Sequence, residues 1–162
     1  MAENKFSTGR KIYISVLFVL LVLTIGFIWC NSMLDGNTSS KESGRVFVFL
    51  EPFFDGVFGK GVITEAITRK MAHVTEFFIL GLELTLIFVA YGNYNFKNWL
   101  FIISEGVFIA LFDETIQYFT RRGSSVIDVL IDGIGVMAVS LIAGLISIIV
   151  CSVKNKKATK KK

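Results

Sequence analysis

Residues 12–34 carry no charged side chain over 23 consecutive positions. Roughly 20 apolar residues in a helix cross a hydrocarbon core of about 30 Å, so this stretch alone steers the chain toward a membrane. Three more long, mainly apolar stretches follow, at residues 70–91, 99–119 and 126–151. In lipid, backbone N–H and C=O groups have no water to bond, and helices satisfy them internally. The expected fold is therefore all-α: an integral membrane four-helix bundle forming a single domain over residues 1–162. A partly helical interfacial segment is expected between the first two spans. Composition bears on one point. Sixteen phenylalanines in 162 residues would be hard to bury in a soluble core this small, and are easily placed against lipid.

The formal charge of +4 raises nucleic acid as a partner, but its distribution argues against one. Lys154, Lys156, Lys157, Lys160, Lys161 and Lys162 crowd the C-terminus, and Lys5, Arg10 and Lys11 precede the first apolar run. Basic residues flanking apolar spans determine topology, and no nucleic-acid recognition module is present. Both termini are expected in the cytoplasm of a cell-membrane protein, which requires an even number of spans. Residues 152–162 then form a basic cytoplasmic tail, lying on the anionic inner leaflet or serving only as a topology signal. The turn holding Lys97 is cytoplasmic. The 35–69 connection and the Arg121-Arg122 turn are outside. Those two arginines run against the positive-inside trend and call for a role beyond topology.

A cleaved signal peptide would need a shorter apolar core and a small-x-small site, and Trp29-Cys30-Asn31 supplies neither. Cys30 and Cys151 fall near opposite faces of the bilayer. Bonded cysteines need Cα atoms within about 7 Å, so both are read as apolar filler. In the connection, Ser39 and Glu42 have capping-box spacing. Val46, Phe47, Leu50, Phe53, Phe54 and Val57 recur at helical spacing, and Pro52 is expected to break the segment into two short pieces. Such an aromatic amphipathic segment lies in the headgroup interface or packs over the bundle.

The ionisable residues inside the spans are the most informative feature. Each costs roughly 2.5–3.5 kcal/mol at the bilayer centre on the insertion scale. Lys70, His73 and Glu76 occupy the first two turns of the second span, on one side of the helix. Asp113, Glu114 and Gln117 occupy the last two turns of the third. Arg121, Arg122, Ser124 and Ser125 follow in the turn, and Asp128 and Asp132 open the fourth span. Three helices thus deliver polar groups to one place, the outer half of the membrane. The expected ligand-binding set is Lys70, His73, Glu76, Asp113, Glu114, Gln117, Arg121, Arg122, Ser125, Asp128 and Asp132. Glu83 and Glu105 lie at similar depth on neighbouring helices; a shared proton would remove one buried charge, and two lipid-shielded neutral carboxyls are expected rather than a proton relay. Gly133, Gly135, Ala138, Ser140, Ala143, Gly144 and Ser147 are expected to permit close helix packing.

Three stretches carry a family resemblance. Arg69-Lys70-Met71-Ala72-His73-Val74-Thr75-Glu76-Phe77 resembles the Lys-x-x-His motif of the VanZ-like family. Asp113-Glu114-Thr115-Ile116-Gln117-Tyr118-Phe119 resembles its Asp-Glu-x-x-Gln signature. Arg122-Gly123-Ser124-Ser125-Val126-Ile127-Asp128, with Asp132 and Gly135 beyond, looks like its Arg-x-x-Ser-x-x-Asp continuation. Ser39, Ser40 and Ser43-Gly44 are also similar. The resemblance covers nearly the whole chain apart from its ends. It implies a small multi-pass membrane protein of the Gram-positive cell envelope, in a family whose namesake is linked to low-level teicoplanin resistance. Two departures matter: Phe77 stands where members often have an aromatic hydroxyl, and Ile116 where they often have histidine. A mechanism needing a second imidazole does not fit this chain.

Three functions compete. In the first, the polar site binds a membrane lipid headgroup, a lipid-linked cell-wall precursor or a glycopeptide, with Lys70, Arg121 and Arg122 holding phosphate or carboxylate. In the second, the protein is an intramembrane enzyme acting on a lipid or lipid-linked substrate, with His73, Glu76 and Asp113 as catalytic groups. In the third, the cluster is an ion-pair network that only fixes helix order. No cofactor motif is present. With one imidazole, a tight zinc site is not expected.

Overall fold

The protein is described here by a computed structural model covering residues 6–34 and 36–159. These residues form five helices: α1 (Thr8–Met33), α2 (Gly36–Phe58), α3 (Glu65–Ala90), α4 (Phe96–Phe119) and α5 (Val126–Thr159). Side-chain caps fix four of the starts. Ser7 accepts from Arg10 N at 3.4 Å, Thr64 from Ile67 N at 3.2 Å, Asn95 from Asn98 N at 3.1 Å and Ser125 from Ile127 N at 3.2 Å. Each cap satisfies one of the N–H groups that a helix start leaves without a partner.

Three helices are long and apolar enough to cross a membrane: α1, α3 and residues Val126–Val150 of α5. Together with the many large apolar side chains exposed along them, they fit a membrane protein. The α4 helix has 24 residues and falls short through its charges. Lys97, Glu105, Asp113 and Glu114 are spaced so that every 18-residue stretch of it holds at least three charges.

α3 is the centre of the assembly, touching α1, α2, α4 and α5, while α4 also touches α1 and α5. Ile28, Phe77, Leu80, Ile102 and Val136 are fully buried among them. Absent side chains allow the close approach. A Cβ on Gly81 would lie 2.9 Å from the Cα of Val136, and one on Gly106 would lie 2.7 Å from a Val136 methyl. On α5, Gly144 gives its space to the ring of Tyr94, whose hydroxyl donates to the Ser140 carbonyl at 2.7 Å. Gly133 faces Val107, and Gly135 faces Val74. These α5 positions serve packing, as the small-residue pattern predicts, whereas Ala138 is exposed.

The segment between the first two apolar stretches departs from expectation. It holds one helix of 23 residues that continues through Pro52. The missing proline N–H leaves the Val48 carbonyl without its helical donor. This happens where Val48 and Phe49 are 66% and 82% exposed, so the ring meets no packed neighbour and the helix runs on. Because α2 begins at Gly36, Ser39 lies inside it rather than capping it. α3 begins at Glu65 rather than at 70, and α5 continues past 151 into the basic tail. Lys5, Asp35 and Lys160 to Lys162 lie outside the described residues, and Lys154, Lys156 and Lys157 are described only as backbone of α5.

Candidate functional site

The C-terminal ends of α1 and α4, the N-terminal ends of α3 and α5, and the first half of α2 meet at one end of the molecule. Part of the polar cluster there is closed. Asp113 has no exposed surface. It accepts from the Ser32 hydroxyl at 2.5 Å and from Gln117 Nε2 at 2.7 Å, and Thr120 Oγ1 donates to the Ser32 carbonyl at 3.0 Å. These bonds tie α1 to α4. Asn31 Nδ2 donates to Glu76 Oε1 at 3.0 Å, and the Arg122 guanidinium donates to the Asn31 carbonyl. Glu114 Oε2 accepts from the Ser125 backbone N–H at 2.7 Å. A carboxylate is thus set at the positive end of the α5 dipole.

The rest of the cluster is open. His73 Nδ1 lies 3.7 Å from Glu76 Oε2 and 3.8 Å from Asp113 Oδ2, both too long for a hydrogen bond. Four buried polar atoms have no protein partner: His73 Nδ1, Glu76 Oε2, Arg122 Nε and Asp132 Oδ2. Buried polar groups are nearly always satisfied by protein, water or a ligand, so these four atoms are open to water or to a ligand. Two cavities meet there. The smaller, about 90 Å³, is lined by Arg69, Lys70, His73, Glu114, Gln117, Arg122, Asp128 and Asp132. It has room for a few waters. The larger, about 410 Å³, is lined by Asn31, Ser39, Ser43, Thr68, Arg69, His73, Glu76 and Arg122, with apolar walls from Phe27, Leu34 and Val46. That volume lies in the range of small-molecule sites.

Arg69, His73 and Arg122 line both cavities. Among the described residues, neither arginine has a carboxylate within ion-pair distance; the pairs formed are Lys70 with Asp128, and His73 with Glu76 and Asp113. Burial pushes the Arg122 pKa down from its ordinary value, although a guanidinium stays charged at any physiological pH. No three His, Cys, Asp or Glu side chains among the described residues are grouped to hold a metal ion.

A family model described as VanZ/LLP1 matches residues 16–147, from the first half of α1 well into α5. The chain belongs to the VanZ/LLP1 family. No curated protein and no solved structure matches it. The family match spans every helix that contributes to the two cavities.

Most of the residues singled out from the sequence come together. Lys70, His73, Glu114, Gln117, Arg122, Asp128 and Asp132 line the smaller cavity, and His73, Glu76 and Arg122 line the larger. Asp113 sits behind His73, closed off by Ser32 and Gln117. Two residues do not join. Arg121 is exposed, with φ of 57°, in a turn whose tight reversal points it away from both cavities. The Ser125 hydroxyl caps α5 instead of lining either cavity. Sequence reasoning passed over Arg69, Asn31 and Ser32. Arg69 stands inside the first family motif, and Asn31-Ser32 is an adjacent polar pair closing an otherwise apolar span. Both were visible signals. Glu83 and Glu105 do not pair: Glu83 Oε1 accepts from Thr24 at 3.0 Å, and its other oxygen has no partner. The reason is that Glu83 faces α1, not α4.

Proposed function

We propose that the chain crosses the cell membrane four times, with both termini cytoplasmic, and that the cavity end faces outward to bind an anionic amphiphile. On this reading α4 is the fourth span, its carboxylates made tolerable by partners on α1 and α5. The ligand is a lipid headgroup, a lipid-linked wall precursor or a lipoglycopeptide, and through it the protein contributes to teicoplanin resistance in a Gram-positive envelope. One observation carries the reading: Arg69 and Arg122 stand without carboxylate partners at the junction of a ligand-sized cavity with a polar one. Planar guanidinium groups are suited to phosphate and carboxylate. Apolar walls at Phe27, Leu34 and Val46 suit the non-polar part of such a molecule.

The experiment is a pair of strains with and without the gene, tested against teicoplanin and vancomycin, with Arg69→Gln and Arg122→Gln complements. A teicoplanin-selective loss of tolerance, restored by the wild-type gene and not by the variants, is expected. Equal susceptibility in all strains refutes the resistance role. Accessibility of Cys30 and of introduced tail cysteines to a membrane-impermeant thiol reagent tests the topology. Labelling of the tail in intact cells contradicts it.

A second reading, an intramembrane enzyme, is favoured by the position of His73 between two carboxylates with its Nδ1 free. Such long contacts can tighten when substrate arrives. A membrane-lipid profile unchanged by His73→Gln would remove this reading.

A further inference from the structure

Beyond the two cavities of the polar cluster, α1 and α3 frame a third. Its volume is about 260 Å³, and it is lined by Leu20, Leu23, Thr24, Phe27, Glu76 and Ile79. Phe27 and Glu76 belong also to the 410 Å³ cavity, so the two adjoin across these side chains. On α1 the lining positions Leu20, Leu23, Thr24, Phe27, Asn31 and Leu34 follow helical spacing and form one stripe, about 20 Å long at 1.5 Å per residue. On α3, Arg69, His73, Glu76 and Ile79 form the facing stripe. Polarity changes along it. The end near α2 holds the guanidinium groups, the His73 imidazole and hydroxyl groups. The far end is mainly hydrocarbon, with Leu20, Leu23, Phe27 and Ile79 between 44% and 62% exposed; the Thr24 hydroxyl within it is taken up by Glu83. Both flanking helices are among those long enough to span a bilayer, so this flank opens sideways toward lipid.

We propose that the α1–α3 groove holds the hydrocarbon chain of a phosphate-bearing membrane lipid whose phosphate sits between Arg69 and Arg122. The inference rests on the anion-binding reading above and narrows it. The ligand enters laterally from the bilayer, and α2 lies over its headgroup through Ser39, Ser43 and Val46. A polar headgroup pocket alone would serve a water-soluble anion. The apolar side chains Leu20, Leu23, Phe27 and Ile79 beyond it distinguish an anchored one. Hydrocarbon gains little by leaving lipid for an apolar groove, so the chain sets orientation and route of entry, and the arginines set affinity.

The test uses the full chain in nanodiscs of zwitterionic lipid, doped with phosphatidic acid carrying a photoreactive group in its acyl chain. Photoreactive phosphatidylcholine, and displacement by soluble glycerol phosphate, complete the set. Cross-links from the phosphatidic acid are expected to concentrate on Leu20, Leu23 and Ile79. They should fall about tenfold in Arg69→Gln, the loss expected for one charge-assisted hydrogen bond, and fall in Leu23→Trp, which fills the groove. Val22→Trp, at an exposed neighbouring position outside the groove, should leave them unchanged. Cross-links spread alike over α1, α4 and α5 for both lipids, with glycerol phosphate still bound in an Arg69-dependent way, overturn the groove and leave the anion site standing. Absence of any Arg69-dependent binding, of lipid or of glycerol phosphate, overturns both.

Discussion

Val136 of α5 packs against both Gly81 of α3 and Gly106 of α4, and it allows a sharp test of how the helices are held together. The three atoms nearest a methyl group added at Gly106 would be the Val136 side-chain methyls, at 2.7 and 2.8 Å, and its Cβ, at 3.1 Å. A methyl group added at Gly81 would meet Val139 Cγ1 at 2.8 Å, but also the Val136 Cα at 2.9 Å and its carbonyl oxygen at 3.1 Å. The two shortest contacts of the first clash are removed by trimming the valine, which leaves its Cβ at 3.1 Å. The second involves backbone, which no substitution removes. Overpacking of a fitted interior costs about 1–3 kcal/mol, so Gly106→Ala and Gly81→Ala should each destabilise by roughly that amount. Val136→Ala should then rescue Gly106→Ala, with a favourable coupling of about 1–2 kcal/mol, inside the range seen for residues in contact. Val139→Ala should leave most of the Gly81→Ala penalty in place. The assay is reversible unfolding of the purified protein by SDS in mixed micelles, run as two double-mutant cycles. Additive behaviour at Gly106 and Val136, or full rescue of Gly81→Ala by Val139→Ala, would refute the close packing described for these helices.

The Ser32–Asp113 bond should give a coupling of about 0.6–1.7 kcal/mol between Ser32→Ala and Asp113→Ala in the same assay, the range for polar contacts between membrane helices; additivity would show that the bond is not formed. Lys70→Ala should change stability by less than about 1 kcal/mol, because its ion pair with Asp128 is half exposed on the lysine side and such pairs are weak. Burial raises the Tyr94 pKa above its ordinary 10, so the neutral phenol belongs to the folded state. Its contribution is fully present below pH 10 and is lost as pH climbs through the raised value. Unfolding midpoints followed from pH 9 to 11 should fall for the wild type and fall less for Tyr94→Phe, with equal slopes counting against the buried phenol.

Much of the site could be read from residue order alone, and particular residues show why. His73, Glu76, Asp113, Gln117, Asp128 and Asp132 are ionisable or amide groups in apolar surroundings. The expense of placing them there is enough to predict that they face one another. Helical spacing then fixes which end of each span they occupy. Asn31 and Ser32 escaped because a polar pair at the end of a span also suits an ordinary exit into water. Only the tertiary approach of α1 to α4 gives them Glu76 and Asp113 as partners. Arg121 and Arg122 are adjacent and chemically alike, yet a left-handed turn residue sends one outward while the other reaches Asn31. No spacing argument separates them. Pro52 misled for a related reason, since its effect depends on whether the neighbouring face is packed. Three helices are long and apolar enough to cross a membrane, and α4 falls short through its charges, of which Asp113 finds Ser32 on α1 and Glu114 the Ser125 N–H at the start of α5.

That shortfall has a consequence for how the protein is made. With the four-span topology proposed above, a ribosome feeding this chain into a membrane delivers α4 before α5 exists. At that moment Asp113 can find Ser32 on α1, already in place. Glu114, however, must wait for the Ser125 N–H that begins the next helix. On that topology α4 is expected to settle together with α5 rather than alone, and a stop codon placed just after Thr120 should lower the fraction of α4 that inserts.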